Sequence, residues 1–62
     1  MNMFSVCVGS LVVFSSEVIE DVKSVYREWA RQSRENPTSL AYWQRVSLNL
    51  NNDGLMEEIS SI

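Results

Sequence analysis

Four of the chain's five cations, Lys23, Arg27, Arg31 and Arg34, step four, four and three residues along one short stretch. On a helix those intervals stack the side chains into a single ridge. Such a ridge offers positive charge to an acidic protein surface or a phosphate backbone. With Glu28 and Glu35 interleaved, it is also what an ordinary solvated helix face looks like. Tyr42 is the aromatic expected to be exposed. It joins the four cations as a candidate contact with a partner protein or with nucleic acid.

Other chemistry is thinner. Asn49, Asn51, Asp53 and Gly54 superficially follow the calcium-loop pattern. The first position lacks its carboxylate, and Ser60 stands where a bidentate glutamate belongs, so the segment reads as an Asn-Asp-Gly turn. Cys7 and the serines have no histidine to act as base, because the chain contains none. A cysteine in mid-strand is usually a small buried hydrophobe. Glu57 and Glu58 are adjacent and point to different faces, so they form no acid–base pair. There is no glycine-rich phosphate loop. No catalytic residue, metal site or cofactor is expected, and an enzyme is the least supported class.

The ridge needs a helix to carry it, and the sequence supplies one over 16–34. Val18, Val22, Val25 and Trp29 recur at intervals of four, three and four, with Ile19, Tyr26 and Ala30 widening the stripe. Ser15 or Ser16 is placed to cap the start. Glu17, Glu20 and Asp21 suit the positive end of the macrodipole, and Arg31 and Arg34 the negative end. Pro37 pushes Asn36 out of the helical region, so the helix should stop by Glu35.

Residues 3–14 carry no charge. Phe4, Val6 and Val8 alternate with Ser5, Cys7 and Gly9, a period suited to a strand. Gly9-Ser10 could turn the chain so that 4–8 pairs with 11–14, or Gly9 could simply kink one strand. A secretory signal is disfavoured because no Lys or Arg precedes the apolar run, and the run is too short and interrupted to span a bilayer. No membrane partner and a cytoplasmic location are expected. An uncharged valine-rich strand needs a paired edge. Pairing with a second copy would satisfy it, with Phe4, Val6, Val8 and Val12 as the dimer interface.

After the helix, Leu40, Trp43, Val46 and Leu50 recur at helical spacing, three, three and four apart, and Asn36-Pro37 is a good helix start. The favoured reading is a second helix over 38–48 that takes Trp29 and Trp43 into the core. The competing reading is a strand over 44–50, since Val46, Leu48 and Leu50 also alternate with polar residues. Asp53 is then read as the cap of a short terminal helix over 54–61, with Leu55, Ile59 and Ile62 on its inner face.

Pro37, Trp43 six residues on, and Gly54 eleven beyond that give the chain a resemblance to a tetratricopeptide or half-a-TPR helical hairpin repeat. Val46, Ser47 and Leu50 match inward positions of such a repeat's first helix. Gly54 matches its inter-helix glycine, and Glu58 an acidic position just after it. Tyr26, Trp29 and Pro37 resemble the second helix and exit of a preceding repeat, so the likeness covers about 22–59. Val25 and Ile59 depart from it, standing where the family prefers alanine. The resemblance implies a protein-binding scaffold, in a family also associated with RNA-processing assemblies.

Size narrows the remaining choices. A chain of 62 residues is one domain and buries only about 60% of its unfolded surface. Small scaffolds commonly need a disulfide, a metal or a partner, and one cysteine without histidine leaves the partner. The net charge of −3 argues against bulk nucleic-acid affinity. The expectation is therefore a single, mainly α domain: a helical hairpin plus a short terminal helix, preceded by an extended segment. The α+β arrangement is its alternative. Its expected role is non-enzymatic docking to a partner protein or to itself, with nucleic-acid binding through the helix ridge as the rival.

Overall fold

A computed structural model of the chain describes residues 2–61. Five elements follow one another: β1 (Met3–Val8), β2 (Leu11–Ser16), α1 (Ile19–Glu35), β3 (Val46–Asn52) and β4 (Leu55–Ser61). The strands form one antiparallel sheet in the order β2-β1-β3-β4, and α1 packs on one face of it. The architecture is α+β, and the mainly α reading is overturned.

The N-terminal hairpin follows from local chemistry. Gly9 sits at φ +60, a conformation glycine adopts without strain, and it turns β1 back onto β2. Its N–H donates to the Arg45 carbonyl at 2.7 Å, which ties this turn to the start of β3. Phe4, Val6 and Val8 face α1, while Ser5 and Cys7 face away. β3 copies that alternation, with Phe4 opposite Leu50, Val6 opposite Leu48 and Val8 opposite Val46. The core therefore consists of Val6, Val8, Val22, Ala41, Val46 and Leu48, with Phe4, Val13, Phe14, Val25, Tyr26 and Trp29 packed around it.

α1 presents the expected stripe but starts three residues later than 16. Ser16 is the last residue of β2, and its Oγ accepts the Val18 N–H at 3.0 Å, while the helix has no side-chain cap. Val18 itself is exposed. The helix ends at Glu35, next to Asn36-Pro37.

The expected helices over 38–48 and 54–61 do not form. Residues 37–44 run instead through successive turns, with Ser39, Tyr42 and Gln44 N–H groups donating to the carbonyls of Asn36, Ser39 and Ala41. Asn36 acts as a turn former: its Oδ1 accepts from the Thr38 N–H at 3.1 Å and the Thr38 hydroxyl at 2.8 Å. Val46 and Leu50, which satisfied both the helical and the alternating pattern, are claimed by the ladder with β1. Asp53 (φ +51) and Gly54 (φ +84) are the two central residues of a hairpin turn with positive φ at both positions, the signature of type I′. Asp53 thus caps no helix. Ile62 lies outside the described residues.

The tetratricopeptide resemblance falls with the second helix. Among the described residues there is one helix against a four-stranded sheet. Pro37 and Trp43 belong to the loop after α1, and Gly54 to a β-hairpin. Val46 and Leu50 face α1 from a strand, while Ser47 faces the other way. Among the described residues no helix is long and apolar enough to cross a membrane.

Candidate functional site

The loop between α1 and β3 is stapled to the last turns of the helix. Ser33 Oγ donates to the Gln44 carbonyl at 3.0 Å, and the Ser33 carbonyl accepts the Trp43 N–H at 3.4 Å. Ser39 Oγ donates to Gln32 Oε1 at 2.8 Å and accepts the Ala41 N–H at 3.1 Å. These bonds drive Ala41 into the core, where it is fully buried. Two residues later the chain must reverse into β3, and Trp43 takes up φ +68.

The consequence is an exposed tryptophan. Trp43 is 84% exposed, whereas Tyr42 is half-buried, which reverses the roles expected of the two. The expectation of a core Trp43 depended on a helix over 38–48 that would have turned it inward. In the turn, Ala41 fills that inward position instead. A bulky residue in the left-handed region costs on the order of 1–3 kcal/mol and persists only where its surroundings impose it. The Tyr42 ring meets the indole edge-on, with centroids 5.3 Å apart at 71°. Together with Ser33, Arg34 and Gln44 the pair lines a cavity of about 390 Å³.

The four cations of the ridge have different surroundings. Arg34 belongs to the Trp43 cavity. Arg31 is held by Glu28, with Nη2–Oε1 2.6 Å and Nε–Oε2 3.2 Å. The Arg31 guanidinium, helped by the Gln32 amide, keeps the Glu28 carboxyl below the usual carboxylate range, and Glu28 in turn raises Arg31. Lys23 and Arg27, nearer the start of α1, line a groove of about 280 Å³ together with Tyr26, Leu48, Ile59 and Ser60. Tyr26 Oη and Ser60 Oγ share a hydrogen bond of 3.2 Å there, linking α1 to β4.

Val6 and Val8 are buried under α1, Phe4 packs at the rim of that core, and Val12 is exposed on β2. β1 is paired on both sides, so the unpaired edges belong to β2 and β4. On the sheet face away from α1, Asn49 Nδ2 donates to Ser47 Oγ at 3.2 Å and approaches Cys7 Sγ at 3.5 Å, so Asn49 is engaged within the sheet. Among the described residues no three His, Cys, Asp or Glu side chains gather where they could hold a metal ion. Sequence reasoning missed Trp43. The signal that could have found it is Gln44-Arg45 after two aromatics, a polar break where a buried helix would continue. Compared with known proteins, the chain matches no family model, no curated protein and no solved structure.

Proposed function

We propose that this chain is a non-enzymatic docking module that binds a partner protein through Trp43, Tyr42 and Arg34. It would work in the cytoplasm, a compartment that suits its single free thiol. The observation that carries this reading is the strained, exposed indole. Backbone strain and exposure of a large apolar ring both oppose folding, and neither serves the core. Trp, Tyr and Arg are also the residue types that dominate binding hot spots, where a large rigid surface is desolvated at small entropic cost. Here all three line one cavity on a loop fixed to a helix end, so little ordering remains to be done on binding.

Affinity purification with the chain as bait tests this. A stoichiometric protein partner should be retained by the native chain, lost with Trp43→Ala and weakened with Arg34→Ala. Ala at position 43 still faces the left-handed backbone, so a melting curve establishes that the variant is folded. Retention that Trp43→Ala leaves unchanged would overturn the reading.

Single-stranded nucleic acid is the second reading, favoured by one observation: Arg34 lines the same cavity as the exposed Trp43 indole and its Tyr42 neighbour, the combination that tracks phosphates while bases stack. Arg31 is committed to Glu28, which leaves few cations for a chain of net charge −3. Quenching of tryptophan fluorescence by an oligothymidylate, steeply reduced by salt, would favour it over docking to protein.

A further inference from the structure

β2 is an outer strand, and its six residues, Leu11–Ser16, include no charge and no proline. Natural sheets protect such edges with charges, prolines, bulges or short length. β2 has one bulge, at Val13, where the register to β1 shifts between Val6 and Cys7. Leu11 and Val12 are 56% and 49% exposed. The other outer strand, β4, also has a register shift, but carries Glu57 and Glu58 in its middle.

The pairing with β1 fixes which way each β2 residue faces. Leu11, Phe14 and Ser16 lie opposite Val8, Val6 and Phe4 and so share the α1 side, and bulged Val13 packs on the same core. Val12 and Ser15 lie opposite Cys7 and Ser5 on the far side. An antiparallel copy of β2, related by a two-fold axis between Val13 and Phe14, sets Leu11 against Ser16, Val12 against Ser15 and Val13 against Phe14. Every one of these pairs joins residues of the same face, as an antiparallel ladder requires. The bulge, which would ordinarily spoil such a match, is what produces it. The equivalent self-pairing of β4 fares worse. Centred on its own bulge, between Ile59 and Ser60, it matches the faces but spans only Glu58–Ser61 of the strand; centring it on Glu57 sets carboxylate against carboxylate, and centring it on Glu58 puts residues of opposite faces against each other.

We infer that β2 is a self-association edge that pairs with β2 of a second copy, giving a continuous eight-stranded sheet with both helices on one face. The inference goes beyond the docking reading and uses none of its residues. The occupant is a second copy because the edge is complementary to itself in both faces and charge, a property a partner of other sequence need not share.

Sedimentation equilibrium from micromolar to millimolar protein tests it. The native chain should shift from monomer to dimer mass, and Trp43→Ala should leave that shift unaltered. S15E, at an exposed position, should weaken association about tenfold, because it places a carboxylate against Val12 at both symmetry-related pairs. Adding V12K to S15E should restore it, since each of those pairs then joins opposite charges. Circular dichroism of every variant at low concentration checks the fold. A chain that stays monomeric throughout, a dimer indifferent to S15E, or a double variant no better than S15E alone would each overturn the assignment. Dimer formation without capture of any partner would sink the docking reading and leave this one standing.

Discussion

The β1–β2 hairpin turns at Gly9-Ser10 and the β3–β4 hairpin at Asp53-Gly54, each through two residues, and the pairing in each has one register shift. Their fates differ. In the first, Val13 and Phe14 of the outer strand pack on the core; in the second, all seven residues of the outer strand are exposed, Leu55, Met56 and Ile59 among them. Position under the helix makes the difference. A helix is about 10 Å wide, while four strands spaced ~4.8 Å apart span more than that. α1 connects β2 to β3 and therefore lies over β2, β1 and β3, leaving β4 beyond its reach except for the Tyr26–Ser60 bond. One helix cannot dry a four-stranded sheet, so the covering of the last strand is left to solvent or to another molecule.

The largest expected effect separates the hairpins most sharply. Val6→Asp puts a carboxylate into the apolar cluster of Val8, Val22, Val46 and Leu48. That costs several kcal/mol, against a total stability on the order of 3–9 kcal/mol for a chain this small. The variant should be unfolded by circular dichroism. Leu55→Asp, at 76% exposure on β4, should shift the melting transition by no more than about 0.5 kcal/mol. If Leu55→Asp also unfolds the chain, β4 is covered in solution and the comparison fails.

The two turn glycines sharpen it next. Both sit at positive φ, so alanine is strained at each, by roughly 1–2 kcal/mol. At Gly54 a Cβ would meet nothing within 4 Å, but at Gly9 it would lie 3.1 Å from Gln44 Oε1. The Gln44 side chain can swing aside, yet the Gly9 N–H also holds the Arg45 carbonyl and so the start of β3. Gly9→Ala should therefore destabilise more than Gly54→Ala in urea unfolding, and equal losses would mean that the turn alone, without its link to β3, sets the cost.

The parts of this fold that sequence made legible are the local ones. Gly9 in an alternating apolar run and Pro37 after a clean helical stripe each carry their meaning within a few residues. β3 was ambiguous because Val46 and Leu50 suit a helix spaced from Leu40 and Trp43 as well as they suit a strand. What decides is the ladder to β1, whose partners lie some forty residues away, from Val8–Val46 to Met3–Asn51. Trp43 inherits the error, since its exposure depends on where the turn falls. Of the site, the cations and Tyr42 were visible as residue types. Their division between a cavity, an ion pair and a groove was not, because it depends on what packs beside each turn of α1.

Ser5 offers a smaller test on the covered hairpin. It is 5% exposed, and its Oγ has no hydrogen-bond partner. A buried hydroxyl without a partner has lost its water for nothing in return. Ser5→Ala should thus be neutral or stabilising, by up to about 1 kcal/mol, whereas most substitutions at buried positions destabilise. A clear loss of stability would mean that the hydroxyl is satisfied in solution.

The smallest effect concerns what holds β4 in place. Arg45, just before β3, pairs with Glu58 of β4 at 2.6 Å, and Arg45 Nη2 also donates to Ser61 Oγ at 3.2 Å. The pair lies on the sheet face away from α1, with side chains 60% and 39% exposed. Water screens the attraction at that exposure, and two long side chains lose freedom to make it. A double-mutant cycle with Arg45→Ala and Glu58→Ala should give a coupling of roughly 0.2–1 kcal/mol, which shrinks as salt is added. In that case the backbone ladder with β3 holds β4, and the open hairpin differs from the covered one in burial alone. A coupling well above that range, unmoved by salt, would show the pair desolvated, and hence β4 shielded by a neighbour that a lone chain of this topology does not provide.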